Sequence, residues 1–216
     1  MSSPPLDLFI TSFGETLLMT GVSGFLGSII GALLGLFLHL TQRHVIAPTA
    51  VSRALGLAIH GLRSTPSIII LAATIPLAHV LLGNTSGLLA TIVPLSIIAT
   101  SFITRYVEAA MNKVDRHVIE AAQTMGASYG QIICRVLMPE ASADIIAGLG
   151  ITLASLVGYS ALAGAIGGGG LGDLGIRYGY ANFLPEVMLA AVVMLIVLAE
   201  TFHVLGDMLA QRLNQR

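Results

Sequence analysis

Charged side chains are missing from long stretches of this chain. Residues 16–42 contain no Asp, Glu, Lys or Arg, and neither do residues 64–104 or 145–172. A helix crossing the hydrocarbon core of a bilayer needs about 20 apolar residues. The first stretch therefore predicts one crossing, at about 15–40. The second is long enough for two, at about 52–82 and 88–107, reversed at Gly83-Asn84-Thr85-Ser86-Gly87, a cluster of turn formers. The third predicts a crossing at about 143–165. A fifth follows at about 185–209, less clean because Glu186 and Glu200 fall in it. The fold class expected is all-α: one polytopic membrane domain over 1–216 with five transmembrane helices.

The pattern changes between the third and fourth crossings, over about 108–140. There Val118, Ala122, Met125, Tyr129, Ile132 and Val136 recur at steps of four and three, which is one stripe of a helix. Glu120, Gln123, Thr124, Ser128, Gln131 and Arg135 take the other face. Gly126 and Gly130 weaken the helix at mid-length, so two short helices with a turn are expected. Pro139 is expected to end the segment before the fourth crossing. By spacing alone, such a loop is either an amphipathic helix lying on the membrane or a docking surface for a soluble partner.

Composition agrees with membrane residence. Hydrophobic residues make up 55% and charged residues 10% of the 216, whereas soluble domains carry about 25% charge. A net charge of −1 gives no bulk attraction to nucleic acid. Cys134 is the one cysteine, so an intrachain disulfide is excluded. Met1–Glu15 holds Asp7 and Glu15 but no basic residue, unlike a cleaved signal peptide, and the first hydrophobic stretch is expected to be retained. With the N-terminus outside, Arg43, Arg53, Arg63, Arg105, Lys113, Arg116, Arg135, Arg212 and Arg216 fall on the inner side and only Arg177 outside. The positive-inside rule thus predicts an N-out, C-in protein.

Small residues recur at helix-packing spacing: Ser23, Gly27, Gly31 and Gly35 in the first crossing, Gly150, Ala154 and Gly158 in the fourth. In lipid such faces let helices approach closely, within a subunit or across a dimer seam. Pro66 and Pro76 are expected to kink the second crossing, with the freed carbonyls buried in the bundle.

The residues of the loop go further than its spacing. Glu120-Ala121-Ala122, Gly126 six after the glutamate and Pro139 thirteen after that glycine resemble the EAA loop of ABC importer permeases. The resemblance implies short coupling helices seated in a groove of a cytoplasmic ATPase. Glu120 would pair with a basic residue there, and Ala121, Ala122 and Gly126 would permit close approach. Val136 and Met138 stand where that family usually has Ile and Leu. Glu15-Thr16-Leu17, Met19-Thr20, Arg63-Ser64 with Pro66, Gly158-Tyr159-Ser160-Ala161, Ala163-Gly164-Ala165, Gly169-Gly170-Leu171-Gly172 and Tyr178-Gly179-Tyr180 resemble the permease of methionine-type ABC importers. That resemblance covers about 15–212. It implies a homodimer, two cytoplasmic ATP-binding subunits, an extracytoplasmic substrate-binding protein or lipoprotein, residence in a bacterial inner membrane and import of methionine or another small amino acid by alternating access. No cofactor or metal is expected. Tyr159 and Ser160, polar groups in an uncharged span, and Leu162, as an apolar constriction, are candidate pathway residues. Their alternative role is hydrogen bonding and packing within the bundle.

Other chemistries fit less well. The one lysine, Lys113, follows Asn112 and precedes Val114, so no Walker A loop exists and ATP hydrolysis must come from another polypeptide. Gly167, Gly169 and Gly172 match G-x-G-x-x-G, but no strand precedes them; a flexible, close-packed outer loop is expected instead. Gly21-Val22-Ser23-Gly24 and His203 suggest an intramembrane serine protease. Counting about 1.5 Å per residue puts the two side chains roughly 15 Å apart along the membrane normal, beyond reach of proton transfer. The six histidines form no metal-binding spacing. An ion-driven carrier would want acidic groups near the midplane, and the first four crossings have none. Glu200 in the fifth lies about 22 Å along its helix, which favours the inner interface over a proton relay.

Overall fold

The computed structural model describes residues 6–42, 50–83 and 87–214. Within them the chain is helical and contains no strand. The elements run α1 (Leu6–Gln42), α2 (Ala50–Ser64), α3 (Ser67–Leu82), α4 (Leu88–Lys113), α5 (Arg116–Thr124), α6 (Tyr129–Ile132), α7 (Met138–Ala165), α8 (Gly170–Leu174) and α9 (Pro185–Asn214). Four uninterrupted helical stretches, Leu6–Thr41, Leu88–Lys113, Tyr129–Ala165 and Pro185–Asn214, are long and apolar enough to cross a membrane. The α2–α3 pair makes the fifth crossing when its two halves are taken together.

Backbone approach at glycine sets the packing. Ser23, Gly27, Gly31 and Gly35 are all buried, and α4 of the same chain fills the space beside them. A Cβ on Gly31 would stand 2.8 Å from Cβ of Ile103, and one on Gly35 would stand 2.7 Å from the Thr104 carbonyl oxygen. The Ser23 hydroxyl donates to the Ile92 carbonyl at 3.2 Å. This small-residue stripe is therefore a packing face within one subunit, not a dimer seam. Gly150 does the same work between α7 and α9, where its Cβ would lie 2.7 Å from Cα of Gly206. Gly158, on the same predicted stripe, has open space around it. Lipid removes most of the hydrophobic reason for helices to associate, so such close van der Waals contact is what holds them.

The core lies where α1, α3, α4 and α7 meet, around Met19, Leu71, Leu95, Ile98, Ile103, Met111 and Leu156. Threonine and serine hydroxyls inside it bond back to their own helix, as Thr104 does to the Thr100 carbonyl at 2.7 Å and Thr152 to Gly148 at 2.8 Å. Toward the Lys113 end, Arg105 pairs with the buried Glu108 one turn along α4 at 2.6 Å, and Lys113 on α4 pairs with Asp144 on α7 at 2.8 Å.

Two prolines behave differently from expectation. At Pro66 the second crossing does not kink but breaks, with the halves at 118°. Pro66 is extended (ψ 131), and the Gly61 carbonyl left at the end of α2 accepts from the Thr65 amide and from the Ser64 and Thr65 hydroxyls. Pro76 stays inside α3. Pro139 does not end its segment either. Ile133–Leu137 widens into a π-helical turn, in which the Met138 amide donates to the Ile133 carbonyl, and the helix continues through the proline. A proline lacks the amide and crowds the carbonyl four residues back; a π turn just before it relieves both problems. The expected reversal at Asn84-Thr85-Ser86 lies outside the described residues, although Gly83 and Gly87 beside it both have positive φ (76° and 83°).

Gly35→Leu should destabilise the protein by about 1–3 kcal/mol, because the side chain must enter the α4 backbone. Gly21→Leu, with nothing within 4 Å of its position, should leave stability unchanged. Thermal unfolding of the detergent-solubilised protein distinguishes the two.

Candidate functional site

At the Lys113 end, between α4 and α7, the chain forms a compact corner. Asp115 caps α5 by accepting from the His117 amide at 2.9 Å. At the other end of α5, Gly126 takes φ +82, its amide donates to the Gln123 carbonyl at 2.9 Å and the Ala127 amide donates to Ala122 at 3.1 Å. These are the two bonds of a Schellman turn, which needs a left-handed residue at that position and therefore favours glycine. Two residues later Ser128 and Gln131 close a capping box, amide to side chain at 2.9 and 3.4 Å, and α6 begins. Two short helices are thus locked at a fixed angle by backbone bonds, as the glycine spacing predicts.

The apolar stripe divides at this turn. Ala122 and Ile132 are buried, anchoring the corner. Met125 is 81% exposed, Tyr129 59%, and Val118, Ala121, Gly126 and Pro139 are also exposed. The stripe expected on one helix face is split: Ala122 and Ile132 face inward, whereas Val118, Met125 and Tyr129 face outward. Together with Glu120, Gln123 and Thr124 they make a protruding knob, apolar at its tip and polar around it. Glu120 pairs with Arg116 at 2.9 Å, one turn away, with both side chains at least half exposed. Such a surface pair is weak, so the carboxylate can exchange to another cation at little cost.

The second group of candidates lies on α7. Ser160 is buried, and its hydroxyl donates to the Val157 carbonyl at 2.7 Å. Tyr159 is half-buried and its ring stacks on Phe102 of α4, centroids 6.1 Å apart and planes 27° apart. Leu162 is exposed, on a face of α7 shared with Ile151, Gly158 and Ala165, which are exposed too. The eight residues proposed from sequence therefore fall into two places: Glu120, Ala121, Ala122, Gly126 and Pro139 around the corner, and Tyr159, Ser160 and Leu162 higher on the helix that leaves it.

At the opposite end of α7 the glycine-rich segment is close-packed. α8 is tied to α1 by the Gly170 amide donating to Glu15 at 2.7 Å and the Leu171 amide donating to the Thr16 hydroxyl at 2.9 Å. A Cβ on Gly170 would stand 2.7 Å from that hydroxyl. Glu15 and Thr16 act across 155 residues of sequence, and no local spacing announces the pairing.

The corner and the α7 face contain nothing arranged for bond-breaking chemistry. The hydroxyl of Ser23 is engaged by Ile92, and His203 is exposed on α9. Among the described residues no three His, Cys, Asp or Glu side chains gather as a metal site would require.

Comparison with known proteins gives this architecture relatives. Residues 27–216 match the family model described as binding-protein-dependent transport system inner membrane component. The chain is 42% identical to the probable D-methionine transport system permease protein MetI of Vibrio cholerae, over 97% of this chain and 94% of that one. It is also 42% identical to the D-methionine transport system permease protein MetI of Escherichia coli (strain K12), over 76% of each. A structure of the MetNI methionine ABC transporter in an inward-facing conformation contains a chain that superposes with a TM-score of 0.93 at 40% identity, covering 99% of both. An amino acid ABC transporter solved with histidines shares the fold, with a TM-score of 0.76 at 23% identity.

Gly126→Val places a β-branched residue at φ +82 and should weaken the turn by about 1–2 kcal/mol. Hydrogen exchange at the Ala127 amide should then speed up roughly tenfold, at about 1.4 kcal/mol per decade, while amides in α4 keep their protection.

Proposed function

The chain belongs to the family of binding-protein-dependent transport system inner membrane components, and from that premise we propose that it imports methionine as the permease half of an ATP-driven transporter. Membership makes it a multi-pass inner-membrane permease and not an enzyme. The observation that carries the rest is the corner at Gly126: an exposed knob held together by backbone and capping bonds. That is what a force-transmitting contact needs and what a catalytic site does not.

The assembly we infer has two copies of this chain, two ATP-binding subunits beneath them and a separate substrate-binding protein or lipoprotein on the far side. Basic residues favour an orientation with the N-terminus outside and the corner in the cytoplasm. Glu120 exchanges its Arg116 contact for a cation on the ATPase, Ala121 and Gly126 let that subunit approach, and Met125 and Tyr129 fill its groove. Pro139 and the π turn before it join the knob to α7. ATP binding draws the two knobs together and opens the pathway outward; hydrolysis resets it. The uncovered face of α7, with Gly158 and Leu162, lines the pathway between the two copies. Tyr159 flanks that face through its contact with Phe102, and Ser160 supports it from inside the bundle. Names of relatives that are 42% identical support methionine as the cargo; L- and D-forms and close derivatives share its chemistry.

Reconstituted vesicles holding the complex and binding protein should accumulate labelled methionine only with ATP and the ATPase subunit. Uptake that instead tracks a proton gradient without the ATPase would make the protein a secondary carrier. Glu120→Lys reverses the orienting charge at the knob. The variant should insert and assemble normally but hydrolyse ATP without uptake; normal transport at normal expression would remove Glu120 from coupling.

A further inference from the structure

The seam between α1 and α4 is closed at Gly27, Gly31 and Gly35, where no room is left for a Cβ. One residue earlier on each turn, Leu26, Ile30 and Leu34 face the adjacent side, and there the packing stops short. α2 lies over that side with Leu55, Ala58, Ile59 and Leu62 toward the other two helices, yet a groove of about 400 Å³ remains between the three. The glycines of α2 make none of the close approaches seen on α1. A Cβ on Gly56 or Gly61 would meet nothing within 4 Å.

The walls decide what can fill the groove. No ionisable side chain lines it. Neither the ammonium nor the carboxylate of an amino acid would find a charged partner there, and burying a charge unpaired is costly. The groove is therefore not a cargo site. Water in a cavity needs about two to four polar partners. Three hydroxyls are present, those of Ser96, Thr100 and Ser101, and each donates its hydrogen to a carbonyl of its own helix, at 2.7, 2.7 and 2.8 Å. The remaining wall is hydrocarbon.

The groove also falls between the charged ends of both long helices. Its walls on α1 lie within residues 16–42 and those on α4 within 64–104, runs with no Asp, Glu, Lys or Arg. α2 is amphipathic over it: Arg53, His60 and Ser64 take the side opposite the Leu55–Leu62 face, and all three are exposed. The shape is elongated, with walls running about 12 Å along α1 over 26–34 and about 14 Å along α4 over 92–101. Its volume lies in the range of ligand sites, about 300–1,000 Å³, and it is open at the surface and not sealed. Left empty, such a space forfeits the dispersion contacts that hydrocarbon would supply to its lining.

We propose that this groove is a phospholipid acyl-chain site, in which one chain of a membrane lipid packs between α1, α2 and α4 and supports α2 against the bundle. Hydrocarbon is what the surroundings of an inner membrane component supply. An unbranched chain suits a long, narrow groove with carbon walls and no charge. The inference rests on membrane residence and is independent of the cargo.

The test places the assembled complex in bilayers of phosphatidylethanolamine and phosphatidylglycerol, a fraction of which carries a diazirine on one acyl chain. The complex is extracted in detergent, washed free of bulk lipid and irradiated. Leu189, Val193 and Val197, exposed on α9, serve as the reference for loosely held lipid. Peptides carrying 26–34, 55–62 and 92–101 should be labelled about tenfold more than the α9 peptide, a ratio equivalent to about 1.4 kcal/mol of retention. Ala58→Phe on the α2 wall and Val93→Phe on the α4 wall should each bring that ratio close to one, whereas Val193→Phe on α9 should leave it unchanged. Co-elution with the ATPase shows that a variant is folded, and substitutions on two walls let either decide if the other misfolds. Equal labelling of groove and α9 peptides in the wild type overturns the proposal, as does groove labelling that survives both substitutions. A disulfide linking two copies through Ala58→Cys also overturns it, because a second copy then occupies the groove.

Discussion

Lipid offers a backbone no hydrogen bonds, and that constraint organises this molecule. Every crossing is helical, and hydroxyls inside the bundle bond to backbone carbonyls, of their own helix at Thr104 and Thr152 and of α4 at Ser23. Because acyl chains solvate leucine as well as another leucine does, apolar burial alone gives the helices little reason to meet. What joins them is the closeness allowed by Gly27, Gly31 and Gly35 on α1 and by Gly150 against Gly206 between α7 and α9. Several charged residues are paired near helix ends, as Arg105 is with Glu108, Lys113 with Asp144, Arg116 with Glu120 and Arg177 with Asp173.

The same constraint shows in how interruptions of the helices are satisfied. Helical hydrogen bonding is interrupted at the Pro66 break, at the π turn before Pro139 and at the Gly126 turn. At each, the freed groups are satisfied in a different way: the Gly61 carbonyl gathers three donors, the π turn shifts the ladder by one residue, and the Gly126 turn closes a Schellman pair. A bundle without these interruptions would not present Met125 and Tyr129 at an exposed corner.

Much of this was legible in the sequence. Charge-free runs delimit the crossings, the Glu120–Gly126 spacing marks the corner, and the glycine stripe on α1 is a packing face as its period suggests. Other parts were not. Pro66, Pro76 and Pro94 look alike in sequence, yet only the first breaks its helix; the others stay inside α3 and α4. Pro139 reads as a stop because a helix ladder counts in fours, and the structure evades it by counting five. The Glu15–Gly170 bond joins segments that sequence periodicity cannot relate.

The helix that survives Pro139 has a mechanical consequence. From Tyr129 to Ala165 the chain is a single rod of 37 residues, roughly 55 Å long. Its foot is the Gly126 corner and its upper half carries Gly158 and Leu162. A rod of that length tilted by about 5° about its foot displaces its far tip by about 5 Å, close to the width of an amino-acid side chain. Leverage along one helix thus turns a small tilt at the foot into a side-chain-sized shift at Leu162. Stiffness between Pro139 and Leu162 then sets how faithfully a displacement at one end is carried to the other.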